Sequence, residues 1–340
     1  MSKRQSVDIE DKVAFLSRPA AYPDHPHRVE VVETHMSWVF LTEHRVYKLK
    51  KPVRYDFLDF STLERRHHDC QEELRLNRRL ASRVYLGLVA LTLEADGRLA
   101  LDGDGRTIDW LVKMVRLPRE RMLDQLIERG ALKEAEIRRV GEVLADFYRR
   151  AKPVDMSGAD YRRRFLAAIH DNQQALATAA CELPAGQVEA VGQTLLGFLD
   201  RQAPLIEARA DAGRIIEAHG DLRPEHVCLI EPPVFIDCLE FKRDFRLLDP
   251  ADELAFLSME CEAAGALWIG PLLFDSYASR CADRPPTALI AFYKSHRALL
   301  RAKLSAAHLQ DHPPRGSSGK WARKTRAYLQ LASSHIELLD

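Results

Sequence analysis

The segment His219-Gly220-Asp221-Leu222-Arg223-Pro224-Glu225-His226, with Pro232-Pro233-Val234-Phe235-Ile236-Asp237 behind it, decides how this chain is read. Across residues 214–241, RIIEAHGDLRPEHVCLIEPPVFIDCLEF, short apolar runs alternate with polar turns. That pattern predicts brief strands and loops and no helix. Gly220 permits a backbone turn closed to most side-chain-bearing residues. One aspartate, Asp221, therefore sits in a loop, and another, Asp237, ends a short strand.

On the N-terminal side, RVEVV, WVFL and RVYKL between Arg28 and Leu49 predict three antiparallel strands. The period turns helical over residues 61–80, STLERRHHDCQEELRLNRRL, where Leu63, Cys70, Leu74, Leu76 and Leu80 supply an apolar face. Strands return with VYLGLVALTLEADGRLALDGDGRTIDWLVKMVRL, broken by Asp-Gly turns. Near residue 117 the architecture changes, and apolar positions at Ile137, Val140, Leu144, Phe147 and Tyr148 begin a mostly helical region. Helices are expected over 161–209, with a break near 182–186, and again in the final third. The segment DHPPRGSSG reads as a linker before a last helix through WARKTRAYLQLAS. Its GSSGK only superficially matches a P-loop, since Pro314 replaces the first glycine and Trp321 the metal-binding hydroxyl residue. The expected segments are an N-terminal extension (1–27), a strand-rich lobe (28–117), a helical lobe (118–310) and a linker with its helix (311–340).

The composition narrows the class. A chain of 340 residues, 46% hydrophobic, has enough apolar material for two lobes. Fifty basic and 50 acidic side chains cancel, so no global charge argues for nucleic acid or an anionic membrane. The first residues lack a signal-peptide core and no apolar run reaches bilayer length, which predicts a cytoplasmic protein. Six cysteines without a CxxC pair read as reduced thiols. The paired histidines at 25 and 27 and at 67 and 68 have no accompanying ligand set and read as surface or packing residues.

HGDLRPEH, the aspartate after the next short strand and the DPADELA run at 249–255 resemble the aminoglycoside phosphotransferase family, and HGDLRPEH is also similar to the catalytic loop of protein kinases. The resemblance covers roughly residues 28–300 and implies an α+β, bilobal protein-kinase-like fold, with a small antiparallel-sheet N-lobe and a larger helical C-lobe. It implies an ATP-dependent phosphotransferase acting on a hydroxyl of a small molecule. The alternative it leaves open is a catalytically weak, kinase-like regulatory protein. In relatives of this type a separate ATPase domain sometimes follows; no complete second P-loop domain is visible here, so such an ATPase would be separately encoded or absent.

The resemblance also implies roles. Asp221 stands where the family orients or deprotonates the acceptor hydroxyl, and Arg223 where a cation approaches the transferred phosphate. His226 replaces the usual asparagine metal ligand, and Asp237 matches the metal-binding aspartate; Mg²⁺ is implied, with Mn²⁺ as the alternative. VYKLKKP is similar to the strand bearing the phosphate-binding lysine, which is Lys48, or Lys50 by the same strand parity. Glu73 is the matching helix carboxylate, with Glu72 next to it. Ser37 in THMSWVF corresponds to a phosphate contact or else closes the turn, and Met114 and Arg116 lie at the expected adenine-flanking hinge. The acidic residues of DPADELA are expected to cap a helix or brace the HGD loop. An aminoglycoside acceptor would call for an acidic wall, for which Glu207, Glu231 and Glu262 are available by composition alone.

Overall fold

A computed structural model describes residues 7–55, 58–179, 181–311 and 318–339. Most of the linker expected from sequence, 312–317, lies outside the described residues. The chain divides into two compact units, one formed by residues 1–121 with 234–244 and the other by 122–233 with 245–340.

The first unit is built on an antiparallel sheet. Helix α1 (Ile9–Leu16) precedes β1 (Glu30–Glu33), β2 (Ser37–Leu41), β3 (Arg45–Lys50) and a small pair, β4 (Arg54–Tyr55) with β5 (Leu58–Asp59). Helix α2 (Leu63–Ala81) follows, then β6 (Tyr85–Leu93), β7 (Leu99–Leu101) and β8 (Arg106–Val115). The six-stranded sheet runs β1-β2-β3-β8-β6-β7. Its register pairs Lys48 with Val39 on one side and with Val112 on the other. Because side chains alternate along a strand, Tyr47 and Leu49 point one way, into a core with Leu16, Tyr22, Phe40 and Leu111. Lys48 and Lys50 consequently project from the opposite face. Thr62 caps α2 by accepting from the Arg65 amide, and α2 carries Asp69 and Glu73 one turn apart. The N-terminal helix, not anticipated as an element, is tied in by Lys12, whose ammonium donates to Asp109 at 2.8 Å.

The second unit is helical. Its elements are α3 (Leu123–Glu128), α4 (Glu134–Arg150), α5 (Gly158–Ala177), α6 (Gln187–Arg201), α7 (Ala203–Asp211), α8 (Pro250–Ala263), α9 (Ile269–Cys281), α10 (Thr287–Asp311) and α11 (Ser318–Ile336). The large core joins Phe165, Ile169, Leu195 and Phe198 to Phe256, Phe292, Leu299 and Leu329. Between α7 and α8 lies the segment that opened the sequence reading. A two-residue strand, Ile216–Glu217, pairs antiparallel with Leu247–Leu248 and delivers the HGD loop from a fixed edge. A small antiparallel-sheet unit and a larger helical unit are thus the architecture that the resemblance implied.

All six cysteines are reduced, and burial pushes the Cys70 thiol up to about 12. Among the described residues, no helix is long and apolar enough to cross a membrane.

Candidate active site

Two constellations carry the residues singled out from sequence, one in each unit. In the sheet unit, the face of β3 opposite the core meets α2. The Lys48 Nζ donates to Glu73 Oε1 at 3.0 Å and to Asp237 Oδ1 at 2.8 Å. Lys50 Nζ donates to Glu73 Oε2 at 2.8 Å, to Glu240 Oε1 at 2.5 Å and lies 2.7 Å from Asp69. Both lysines allowed by strand parity therefore share one carboxylate, and they differ in access. Lys50 is sealed at 1% side-chain exposure, whereas Lys48 keeps 15% and reaches Asp237. Glu72 points away and pairs with Arg75 at 2.8 Å.

The electrostatics follow from burial and crowding. Burial opposes charge on Glu73, but Lys48 and Lys50 outweigh it and hold the carboxyl below its ordinary value. Glu240 goes the other way. Burial, reinforced by Glu73 and Asp69, exceeds the attraction of Lys50 and Lys48 and pushes its carboxyl up to about 7.

Asp237 is presented to solvent on a pinned loop. Its own amide donates to the Tyr85 hydroxyl at 3.0 Å, and the next amide, of Cys238, donates to Asn77 Oδ1 at 2.9 Å. Arg79 reaches the Cys238 Sγ at 3.3 Å. Asp237 itself sits at φ +60°, a conformation that aspartate tolerates better than most side chains. One of its oxygens faces Lys48, and the side chain is 48% exposed.

Ser37 is buried at the start of β2, where its amide donates to Thr34 Oγ1 at 3.0 Å and the Thr34 hydroxyl donates back to its carbonyl, closing the turn. Met114 is buried on β8 opposite Val46. Arg116 is directed to strand ends, donating to the Thr42 carbonyl at 2.7 Å and to Glu30 at 3.0 Å.

In the helical unit, the HGD loop is held from behind. Glu253 Oε1 accepts from the amides of His219 and Gly220, both at 2.8 Å, and Oε2 accepts from the Tyr148 hydroxyl at 2.9 Å. Gly220 has φ +88°, the freedom for which glycine stands there. Neighbouring acids of DPADELA anchor the same region. Asp249 caps α8 through the Ala251 amide and binds Arg209, and Asp252 pairs with Arg297 through two bonds.

Arg223 bridges Asp221 Oδ2 at 2.9 Å and Glu225 Oε1 at 2.5 Å. Burial works to raise the Asp221 carboxyl, but Arg223, His226 and Arg301 together hold it below its ordinary value, so it is an anion at neutral pH. His226 Nδ1 lies 2.7 Å from the Asp221 carbonyl, which makes that nitrogen the donor. Its Nε2 lone pair then faces the Arg223 guanidinium at 3.3 Å. These two contacts brace the loop from within. No group of three or more His, Cys, Asp or Glu side chains among the described residues forms a ready metal cage.

Sequence reasoning passed over several residues that shape these constellations. Tyr85 and Asn77 act through backbone amides of a distant loop, and Arg301 reaches the Asp221 region from α10; no local spacing announces any of them.

No family model matches the chain. It is 31% identical over 316 residues to uncharacterized proteins of Mycobacterium tuberculosis and Mycobacterium bovis, a span covering 91% of this chain. The chain spans about 60% of the length of these curated relatives. Among solved structures it is similar to a choline/ethanolamine kinase family protein from Mesorhizobium loti, with 15% identity, 96% and 98% of the two chains covered and a TM-score of 0.55. An ethanolamine kinase of Plasmodium vivax aligns at 8% identity over 90% and 81%, with a TM-score of 0.52, and a glucosamine kinase at 16% over 96% and 83%, with a TM-score of 0.51. At such identities the likeness establishes architecture, and the chain has the protein-kinase-like fold that these small-molecule kinases share.

Proposed function

We propose that this protein is an ATP-dependent phosphotransferase that moves the γ-phosphoryl group to a hydroxyl of a small molecule. The observation that carries the reading is the contact of one partly accessible lysine, Lys48, with both a helix carboxylate, Glu73, and an exposed loop aspartate, Asp237. Phosphoryl transfer needs phosphate charge neutralised and a nucleophile aligned, and little else from the protein. Lys48 would hold phosphate oxygens and Glu73 would fix its long side chain. Asp237 would hold Mg²⁺, or Mn²⁺, which when bound neutralises charge on the phosphates. Asp221, kept anionic, would orient the acceptor hydroxyl and take its proton, while Arg223 would meet the transferred group.

The Asp221–Arg223 ion pair favours a second reading, a nucleotide-binding regulator with weak transfer, because a carboxylate already bound by a guanidinium is a poorer base. The deciding experiment is a screen of metabolite extract with γ-labelled ATP, read by mass spectrometry of newly phosphorylated species. Transfer by the wild type that falls at least about a hundredfold in Asp221→Asn, with nucleotide binding kept, supports the enzyme. A folded Asp221→Asn that keeps the wild-type rate would remove Asp221 from the reaction. ATP binding without transfer to any acceptor, with either metal, would favour the regulator.

A further inference from the structure

Beyond Asp221, the helical unit carries a cluster of cations and aromatic rings that the phosphotransferase reading leaves unused. On α11, Lys320, Lys324 and Tyr328 recur at intervals of four and so share one face. The ammonium groups of Lys320 and Lys324 lie 5.7 and 5.5 Å from the ring centre of Trp321, against which His308 of α10 stacks at 4.1 Å. Arg301 of α10 lies over the Tyr328 ring at 5.4 Å and pairs with Glu260 at 2.6 Å.

The carboxylates of this region are already engaged. Glu260 meets Arg301 through one oxygen and the Tyr328 hydroxyl through the other, and Glu225 and Asp221 both bind Arg223. Lys320 and Lys324 remain exposed. Partial burial first, and then Arg301 and Lys320, depress the Lys324 ammonium even against Glu260 and Glu225. Arg301 is also among the cations that hold the Asp221 carboxyl low, so this member of the cluster acts electrostatically on the residue proposed to orient the acceptor. The acids that would form a wall for a polycationic acceptor are dispersed into other pairs: Glu207 with Arg162, Glu231 with Arg139, and Glu262 with Lys294 and His335.

We propose that Arg301, Lys320 and Lys324 form an anion subsite beside Asp221, and that the phosphoryl acceptor is a small hydroxyl compound carrying a phosphate or carboxylate group. This rests on the phosphotransferase reading and narrows it to a substrate class. Like charge at the subsite disfavours an amine acceptor, whereas an anion gains charge-assisted bonds there.

Two measurements on the full chain test it. The first is calorimetric titration with inorganic phosphate and, separately, acetate, without nucleotide, on the wild type and on Lys320→Glu/Lys324→Glu. Saturable binding of either anion that weakens by about tenfold or more in the double variant is expected, and the preferred anion separates a phosphate from a carboxylate acceptor. Absence of saturable binding, or equal binding in a folded double variant, overturns the subsite. The second uses extract separated by charge before incubation with γ-labelled ATP. Asp221-dependent labelling in the anionic fraction, reduced by the double variant, supports the class. Asp221-dependent labelling confined to cationic or neutral fractions overturns it and leaves the phosphotransferase intact. Labelling in no fraction defeats the phosphotransferase reading, and the acceptor class falls with it.

Discussion

Glu73 is fully buried and shared by two lysines, and its removal would take one carboxylate from each, leaving Lys48 to Asp237 and Lys50 to Asp69 and Glu240. Breaking a buried pair in this way costs about 3–5 kcal/mol, so Glu73→Ala should lower the urea midpoint sharply. Glu72→Ala, at an exposed pair one residue away, should change stability by no more than about 0.5 kcal/mol. Equal effects at the two positions would contradict the assigned helix phase. Glu240 makes a second test. Its carboxyl is raised from the ordinary 4.5 to about 7, chiefly by burial, so the folded protein binds this proton more tightly than the unfolded chain. Its contribution to stability is therefore complete below about 4.5 and is lost as pH rises through about 7. Denaturation at about pH 5 and about pH 8 should show Glu240→Gln without this part of the decline. An unchanged pH dependence would place the proton elsewhere. At this scale lysine, glutamate and aspartate in motif order are visible in the sequence, and Lys48, Glu73 and Asp237 come together in the structure. Strand parity kept Lys50 open as the alternative to Lys48, since parity is blind to depth.

Elements were the most legible level wherever periodicity was strong. The strands read from RVEVV, WVFL and RVYKL fall within or beside β1, β2 and β3, and the helix expected over 61–80 is α2. Helix α1 escaped because eight residues rich in charge give too few turns to show an apolar face. What fixes it is tertiary: Lys12 and Arg66 both close on Asp109, at 2.8 Å each, in a buried cluster that joins α1, α2 and β8. Asp109→Asn weakens two charged contacts at once and leaves two buried cations poorly compensated. A loss of about 3 kcal/mol or more is expected by chemical denaturation, with Lys12→Met losing less because Arg66 still neutralises Asp109. If Asp109→Asn is neutral, α1 is held by the burial of its own apolar residues, Leu16 foremost, in the sheet core.

For the molecule as a whole, nucleotide should stabilise by mass action. At a hundredfold excess over Kd, ATP with Mg²⁺ would add about 2.7 kcal/mol, visible as a rise in Tm. That rise should vanish in Lys48→Met, whose folded state can be checked by circular dichroism, and persist in Arg116→Met, since Arg116 is committed to Thr42 and Glu30. A rise retained in Lys48→Met would exclude that lysine from the nucleotide site. The overall architecture was legible because strand-period and helix-period segments are separated along the chain. Its boundary was less so: residues 234–244 cluster with the sheet unit although they lie deep in the helical half of the sequence. That assignment depends on side chains such as Asn77 and Tyr85 meeting backbone amides far along the chain, and hydrophobic patterning does not encode such meetings.

The thiol of Cys238, buried next to the exposed Asp237 and touched by Arg79, supplies an intrinsic clock for that loop. A small alkylating reagent can reach it only during excursions that release the bond from Asn77 to its amide. Pulse labelling followed by peptide mapping would thus time the opening of the Asp237 segment without an introduced probe. Slower labelling in the presence of ATP and Mg²⁺ would register, as a rate, the same engagement of Asp237 that calorimetry would read as heat.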